Sequence, residues 1–200
     1  PEFLNTYAGQ FVMVRVADNV SPLIRRPLGI MDAGMDETNG EPFFELLYHV
    51  VGNGTKILSQ TQKNTPVDIL GPLGSGFKHF ENTGEHWLIG GGIGLPPLYF
   101  LAKELRAKGQ TVRLFAGGRA KKDVTCIDGF KALGVICHLA TEDGVFGELA
   151  TLGDSVDKGR LTLPLLRELE RCRAKPALYT CGPEGMLKAV AKIAQERNLA

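Results

Sequence analysis

LIGGGIGLPP, at residues 88–97, gives the clearest indication of the fold of this chain. Its apolar start predicts a buried strand, its four glycines predict a sharp turn, and its prolines favour the first turn of a helix over residues 97–108. Glycines let the backbone approach a bulky ligand, and the free N–H groups that begin a helix suit a diphosphate. The alternative is a structural turn that binds nothing, and the glycines alone do not decide between the two.

After residue 85, short apolar runs alternate with helical segments. This alternation predicts an α/β domain with a doubly wound parallel sheet, in which ligands bind beyond the carboxyl ends of the strands. The strands are predicted at residues 87–90, 112–116, 135–140 and 177–180, and the helices at residues 97–108, 123–133, 163–173 and 184–197.

Before residue 85 the pattern is that of an all-β domain. Residues 10–17, QFVMVRVA, alternate apolar and polar side chains as a half-buried strand does. Several short strands with a single helix predict an antiparallel β-barrel. Further strands are predicted at residues 43–51 and 67–70, a polar surface loop at residues 32–42, and a short helix beginning at Thr55.

Composition agrees with a chain of two domains, which we expect at residues 1–84 and 85–200. The net charge of +1 gives no electrostatic reason for a nucleic acid or an anionic membrane as partner. No apolar run approaches the roughly 20 residues that span a bilayer, and no secretory signal is apparent. The spacing of the four cysteines matches neither a zinc site nor an iron–sulfur cluster, so we predict no metal ligands and a reducing cytoplasm.

Several polar residues stand where a ligand is expected. Arg25 and Arg26 precede a proline, and each suits either a phosphate or a surface carboxylate. Tyr48 and His49 suit either a planar ring system or ordinary cross-strand packing. Cys181 follows a predicted strand, at the end where ligands bind, whereas Cys126, Cys137 and Cys172 are expected to be small buried side chains. Arg119 follows another strand end and suits either the adenosine part of a dinucleotide or solvent, and Lys121 and Lys122 are expected to be solvated.

Taken in order, six segments resemble the ferredoxin–NADP reductase superfamily and, within it, the electron-transfer subunits of class B dihydroorotate dehydrogenase. They are LIRRPLGI, LYHVVGNGTKIL, VDILGPLGSGF, LIGGGIGLPPL, TEDGVFGE and YTCGPEGMLKA. The resemblance implies a flavin-binding barrel followed by a nicotinamide-nucleotide-binding domain, with FAD and NAD(H) as cofactors. It also implies a heterotetramer with the dihydroorotate dehydrogenase catalytic subunit, in which electrons pass through FAD and a [2Fe–2S] cluster to NAD⁺ during pyrimidine biosynthesis.

The resemblance also assigns cofactor-binding residues. Gly29 replaces the serine of the family's Arg-Pro-x-Ser motif, so a hydroxyl contact is lost there, although the backbone N–H remains. No acid–base residue is predicted because the cofactors carry the redox chemistry, and Cys181 is expected to shape the nicotinamide pocket. The flavin residues are Arg26, Pro27, Leu28, Gly29, Leu47, Tyr48, His49, Gly54 and Thr55. The nicotinamide-nucleotide residues are Gly90, Gly91, Gly92, Ile93, Gly94, Pro96, Cys181, Gly182 and Pro183, to which the strand-end residues Arg119, Glu142 and Asp143 are added.

The family pattern extends beyond both ends of this chain. Members carry a four-cysteine [2Fe–2S] loop after the helix that follows CGP, whereas this sequence stops at Ala200, and it starts after the first barrel strand. We therefore expect a clipped chain. The alternatives are a flavin reductase subunit of another complex, either a sulfhydrogenase or an NADH:ferredoxin-type reductase, and a redox-inactive nucleotide-binding module. The choice of NAD over NADP, and of FAD over FMN, rests on the resemblance alone.

Overall fold

The computed structural model describes residues 5–16, 24–78 and 84–199. The chain divides into two compact units, Pro1–Phe77 and Lys78–Ala200. The first unit contains a four-stranded antiparallel sheet and the second a five-stranded parallel sheet. None of the helices in the described ranges is both long enough and apolar enough to cross a membrane.

The strands of the first unit pair in the order β3-β2-β1-β4. The predicted antiparallel sheet is confirmed, but among the described residues β3 and β4 are edge strands that do not pair with each other, so this sheet is open where a closed barrel was predicted. Its elements are β1 (Phe11–Val14), β2 (Arg26–Met35), β3 (Pro42–Leu46), α1 (Asn53–Leu58) and β4 (Ile69–Leu73).

Several boundaries in the first unit differ from the prediction, and β4, for example, covers Ile69–Leu73 where a strand was predicted at residues 67–70. The first strand stops at Val14, and Ala17, its predicted last residue, lies outside the described residues. The predicted polar loop at residues 32–42 is wrong at its start, because β2 continues to Met35 and pairs there with β3. The predicted strand at residues 43–51 is too long, since β3 leaves the sheet at Leu46, where its pairing with Ile30 ends.

The second unit has the predicted parallel sheet, in the order β8-β7-β6-β5-β9. One edge strand was not predicted, because its sequence, SVDK, has no apolar run. The strands are β5 (His86–Gly91), β6 (Val112–Gly118), β7 (Ile136–Thr141), β8 (Ser155–Lys158) and β9 (Ala177–Cys181).

Helices cover both faces of this parallel sheet. Ile89 of β5 belongs to a buried cluster that includes side chains of helix α5 (Thr162–Arg171) and helix α6 (Glu184–Arg197). The space beside the next residue, Gly90, is filled by Leu95 and Leu98 of helix α2 (Leu95–Ala107). Neighbouring residues of a strand point to opposite faces, so α2 and the α5–α6 pair lie on opposite sides. The helices are α2 (Leu95–Ala107), α3 (Ile127–Ala132), α4 (Leu149–Leu152), α5 (Thr162–Arg171) and α6 (Glu184–Arg197).

Candidate functional site

The order of strands in the second unit marks where a ligand would bind. The chain leaves β5 towards β6 and later returns to β9 on the other side of β5, which makes β5 the point where the strand order reverses. In open α/β sheets, ligands bind in the crevice at the carboxyl ends of the strands at such a point. Here β5 ends at Gly91 and β9 ends at Cys181, and Gly90 pairs with Cys181.

Gly94 lies directly against the turn that follows β9. A Cβ built on Gly94 would lie 2.1 Å from the carbonyl oxygen of Cys181 and 2.7 Å from the nitrogen of Gly182. The backbone of Gly94 is ordinary and helical, with φ −79° and ψ −11°. Glycine is therefore needed here because two backbone segments touch, and no larger residue fits.

Gly182 approaches the end of β5 in a similar way. A Cβ built on Gly182 would lie 3.0 Å from the carbonyl oxygen of Gly91 and 3.1 Å from its nitrogen. Gly92 is different, because its surroundings are open and its φ of +55° is the feature that favours glycine. The glycine turn and the Cys181–Gly182–Pro183 turn, predicted from separate motifs, are thus packed backbone on backbone.

The side chains around these two turns differ in how far they are exposed to solvent. Ile93 is 41% exposed, whereas Pro96 is buried in the first turn of α2, and Pro183 is exposed before α6. Cys181 is half-buried, and burial raises the pKa of its thiol. A neutral thiol is a poor nucleophile at pH 7, which agrees with a residue that shapes a pocket.

The ends of β6 and β7 bring together the three remaining residues predicted for this unit. The backbone N–H of Glu142 donates to the carbonyl of Gly118 (3.1 Å), and that of Asp143 donates to the carbonyl of Arg119 (3.1 Å). The Arg119 side chain is 86% exposed, and its Nε lies 3.9 Å from Asp123 Oδ2. Lys121 forms an ion pair with Glu148 at the surface, where the Lys121 side chain is 38% exposed.

Two polar residues at this edge were not predicted. Asp123 Oδ2 accepts hydrogen bonds from the backbone N–H groups of Arg119 (3.1 Å) and Ala120 (3.2 Å), which fixes the chain after β6. An aspartate a few residues after a strand end is a common turn signal that could have found it. Thr141 is buried at the end of β7, and its Oγ1 has no hydrogen-bond partner among the described residues.

In the first unit, Arg26 and Gly54 meet although 28 positions separate them. A Cβ built on Gly54 would lie 2.5 Å from Arg26 Nε, so the guanidinium lies against the backbone of α1. Within the described residues, no carboxylate pairs with Arg26. Arg25 donates to Asp68 Oδ2 (2.6 Å) and to the Asp68 carbonyl (3.0 Å), and this hydrogen bond lowers the pKa of Asp68. The two neighbouring arginines thus separate, one paired with a carboxylate and one available to an anion.

Thr55 fixes the entry to α1. Its Oγ1 accepts from the backbone N–H groups of Val51 (3.1 Å) and Gly52 (3.2 Å) and donates to the Gly52 carbonyl (3.1 Å). The helix begins at Asn53, two residues before the predicted start.

The other residues predicted to bind flavin lie on two segments. Leu47, Tyr48 and His49 follow β3 rather than forming part of it; Leu47 and His49 are exposed and Tyr48 is half-buried. Pro27, Leu28 and Gly29 lie on β2, where they pair with Met13, Val12 and Phe11 of β1.

The four cysteines lie on separate segments and form no disulfide. Cys137 is fully buried in β7, and burial raises the pKa of its thiol to about 12. Among the residues that the structure describes, no group of three His, Cys, Asp or Glu side chains is placed to hold a metal ion. A [2Fe–2S] cluster needs four ligands, usually cysteines, so these cysteines do not fit one.

Known proteins match this chain over most of its length. The family model of the oxidoreductase NAD-binding domain matches residues 88–192. The dihydroorotate dehydrogenase B (NAD(+)) electron transfer subunit of Bacillus mycoides (strain KBAB4) is 37% identical over 192 residues, which is 95% of this chain and 68% of that subunit. The subunit of the same name from Bacillus pumilus (strain SAFR-032) is 35% identical over 185 residues, covering 92% of this chain and 65% of the relative.

A solved structure of NADH-dependent reduced ferredoxin-NADP oxidoreductase, studied for flavin-based electron bifurcation, is also similar. Its TM-score is 0.75 at 27% identity, and the match covers 97% of this chain and 64% of that one. An antiparallel sheet followed by a parallel sheet thus agrees with a ferredoxin–NADP reductase-like fold. This chain spans slightly less than two thirds of that oxidoreductase and of the Bacillus pumilus subunit.

Proposed function

Since this chain belongs to the family of dihydroorotate dehydrogenase B electron transfer subunits, we propose that it passes electrons between NAD(H) and a dihydroorotate dehydrogenase catalytic subunit by way of FAD. The observation that carries the proposal is the close packing of Gly94 on the Cys181–Gly182 peptide, where the strand order reverses. We assign FAD to residues 1–84, which contain the antiparallel sheet, and NAD(H) to residues 85–200. The proposal includes the heterotetramer of the family, with two copies of each subunit.

In the second unit, the residues proposed to bind NAD(H) would contact it mainly through backbone groups rather than through charged side chains. Within the turn at Gly91–Gly94, Gly91 and Gly94 are packed against other residues, whereas nothing lies within 4 Å of a Cβ built on Gly92, which leaves room for a diphosphate beside that part of the backbone. The half-buried thiol of Cys181 stays neutral beside that turn and presents a small apolar surface to a nicotinamide ring. Arg119 stands near the carboxylate of Asp123, so this edge suits a ribose with free hydroxyls better than a 2′-phosphate.

For FAD, the first unit supplies a cation and a hydrogen-bonded turn. Arg26 has no carboxylate partner in the described ranges, and a guanidinium binds phosphate oxygens through two parallel N–H donors. Thr55 holds the turn at Gly52–Gly54 in one conformation, so the backbone beside Arg26 is ordered before a ligand arrives. FAD, when bound, supplies the ability to take an electron pair from a nicotinamide and to release electrons singly. No step is assigned to an iron–sulfur cluster, because the cysteines described here do not fit one.

The test is an anaerobic titration of the purified chain, loaded with FAD, by NADH and by NADPH. We expect NADH to bleach the flavin absorbance with one equivalent per flavin, and NADPH to do so at least about tenfold more slowly. Protein that stays colourless after incubation with FAD would favour the redox-inactive module and contradict the proposal.

A second candidate is a flavin subunit of an NADH:ferredoxin-type reductase. The 27% identity to the NADH-dependent reduced ferredoxin-NADP oxidoreductase over nearly the whole chain favours it, although the identity to the dihydroorotate dehydrogenase subunits is higher. The two candidates separate on the electron donor. Dihydroorotate with the catalytic subunit should reduce the flavin if the first is right, and reduced ferredoxin should do so if the second is right.

A further inference from the structure

One methionine of α6 touches both glycine turns of the second unit. A Cβ built on Gly91 would lie 3.0 Å from Met186 Sδ, and a Cβ built on Gly182 would lie 2.7 Å from Met186 Cε. Neither glycine has a side chain, so the end of the methionine occupies the space that both leave. The same side chain therefore covers the end of β5 and the turn after β9 on one face, beside the backbone contact between Gly91 and Gly182.

The backbone of α6 fixes where this methionine stands. The N–H of Met186 donates to the carbonyl of Pro183 (2.9 Å), which places it in the first turn of the helix. The side chain is half-buried and packs on the buried cluster that contains Trp87 and Val190. The Met186 side chain thus packs on the buried cluster and also on the two turns.

Methionine suits this position for physical reasons. Its side chain is unbranched and flexible, so it fits along two neighbouring glycine backbones, where a branched side chain would collide with one of them. Gly94 contacts the turn after β9 at the Cys181–Gly182 peptide. The turn is therefore held by Gly94 and Gly91 and by the thioether of Met186.

We propose that Met186 is a positioning residue for the nicotinamide nucleotide, because it packs on both the glycine turn of β5 and the Cys181–Gly182–Pro183 turn and so restrains their movement relative to each other. This inference rests on the proposed function, since it concerns the site assigned there to NAD(H). Met186 makes no contact with the reacting atoms in this scheme. It acts through the two turns, whose placement governs how well a ligand is oriented.

The test compares Met186→Ala with Val190→Ala, which removes a buried side chain from the same helix and the same cluster. For each variant, loaded with FAD, calorimetry gives the Kd for NAD⁺, kinetics with ferricyanide as acceptor give KM for NADH and kcat, and thermal unfolding gives Tm. We expect Met186→Ala to raise Kd and KM about tenfold with kcat changed less than about threefold. Val190→Ala should lower Tm by at least as much and leave Kd within about twofold.

Equal changes in Kd for the two alanine variants would overturn the inference, because Met186 would then be an ordinary core residue. If Met186→Ala does not fold, Met186→Leu decides, since leucine keeps most of the volume but does not reach Gly182. A Kd within about twofold of the wild type in that variant would also overturn it. Failure of the wild-type flavin to be reduced by NADH would instead count against the proposed function, and the calorimetric Kd would still report on Met186.

Discussion

The candidate site of the second unit lies on a sheet that is buried on both faces. The candidate site of the first unit lies on a sheet with few buried apolar side chains. In the second unit Leu88 and Ile89, next to the glycine turn, are both fully buried. In the described part of the first unit, the buried apolar side chains are Ala8, Val12, Val14, Val16 and Ile30. The residues proposed to bind ligands differ accordingly: the second unit offers tightly packed backbone, and the first unit offers the exposed Leu47 and His49 with a half-buried Arg26.

Because the two sites are built differently, substitutions should impair them in different ways. Where the site is made of backbone segments in contact, a change that alters binding also disturbs the packing of the sheet, so stability and affinity fall together. Where the site is made of an unpaired cation and a short turn, a change removes a ligand contact and leaves the small core intact. Each of the substitutions below tests one side of this distinction.

The largest effect is expected for Gly94→Ala. The added Cβ would lie 2.1 Å from the Cys181 carbonyl oxygen, and backbone on both sides leaves no flexible atom to move aside. We expect a loss of about 3 kcal/mol or more in the free energy of unfolding, measured by urea denaturation, together with the loss of measurable NAD⁺ binding.

Gly185→Ala is the matched control, since Gly185 lies in α6 one residue before Met186 and has nothing within 4 Å of its added Cβ. Alanine favours a helix, so this variant should be neutral or more stable by about 0.5–1 kcal/mol. A Gly94→Ala protein as stable as the Gly185→Ala control would contradict this prediction, because it would show that the two turns do not need close contact.

The next effect is expected for Arg26→Ala, and it should appear in binding alone. Loss of a charge-assisted contact to phosphate should weaken FAD binding roughly thirtyfold, measured by quenching of flavin fluorescence, with the urea midpoint hardly changed. Arg25→Ala is the control, because that side chain pairs with the exposed Asp68, and its FAD affinity should stay within about twofold of the wild type. Equal losses of affinity in both variants would mean that general positive charge, not the position of Arg26, holds the phosphate.

Much of the fold of the second unit, and part of its candidate site, could be predicted from the sequence for physical reasons. Parallel strands buried on both faces are nearly continuous apolar runs, such as VRLFA at the start of β6, which only Arg113 interrupts, so they stand out against their surroundings. Glycine turns and the start of α6 also carry local signals. The parallel sheet and the two glycine-containing turns followed from these signals, whereas the order of the strands and the contact between GGGIG and CGP did not.

What could not be predicted depends on contacts between distant residues. β2 extends through Asp32 because its pairing with β3 outweighs the polar composition of that segment. The approach of Arg26 to Gly54 and the ion pair of Lys121 with Glu148 join residues 28 and 27 positions apart, and no local pattern reports them. The contact of Met186 with both turns is visible only once both turns have been placed.

A smaller effect is expected for Glu85→Gln, at the opposite end of β5 from the site. Glu85 accepts from Arg113 Nε (2.8 Å) and Trp87 Nε1 (2.7 Å), and both members of the ion pair are 24% exposed. The variant should lose about 1–2 kcal/mol of stability at pH 7 and keep the wild-type Kd for NAD⁺. A change in Kd would show that stability and affinity are coupled throughout the second unit and not only at the glycine turns.

The same carboxylate predicts the direction of the pH dependence. Burial alone raises the pKa of Glu85, but the hydrogen bonds from Arg113 and Trp87 outweigh it and hold the pKa below its ordinary value of 4.5. A group whose pKa is lowered by folding stabilises the protein above its ordinary pKa, and that contribution is lost as the pH falls through the folded-state value. The stability difference between wild type and Glu85→Gln should therefore be constant from pH 7 to about pH 5 and shrink at lower pH.

The smallest effect is expected for Asp123→Asn, which tests whether charge decides anything at the edge of the second unit. The amide oxygen can still accept from the N–H groups of Arg119 and Ala120, so the turn is kept, while the negative charge beside the Arg119 guanidinium is lost. An arginine without that carboxylate is a better partner for a 2′-phosphate, so kcat/KM for NADPH should rise by about three- to fivefold while that for NADH stays the same. Adding Arg119→Ala should abolish the gain. If NADPH is used no better in the single variant, Arg119 does not face the adenosine ribose, and the second unit selects its ligand by backbone shape alone.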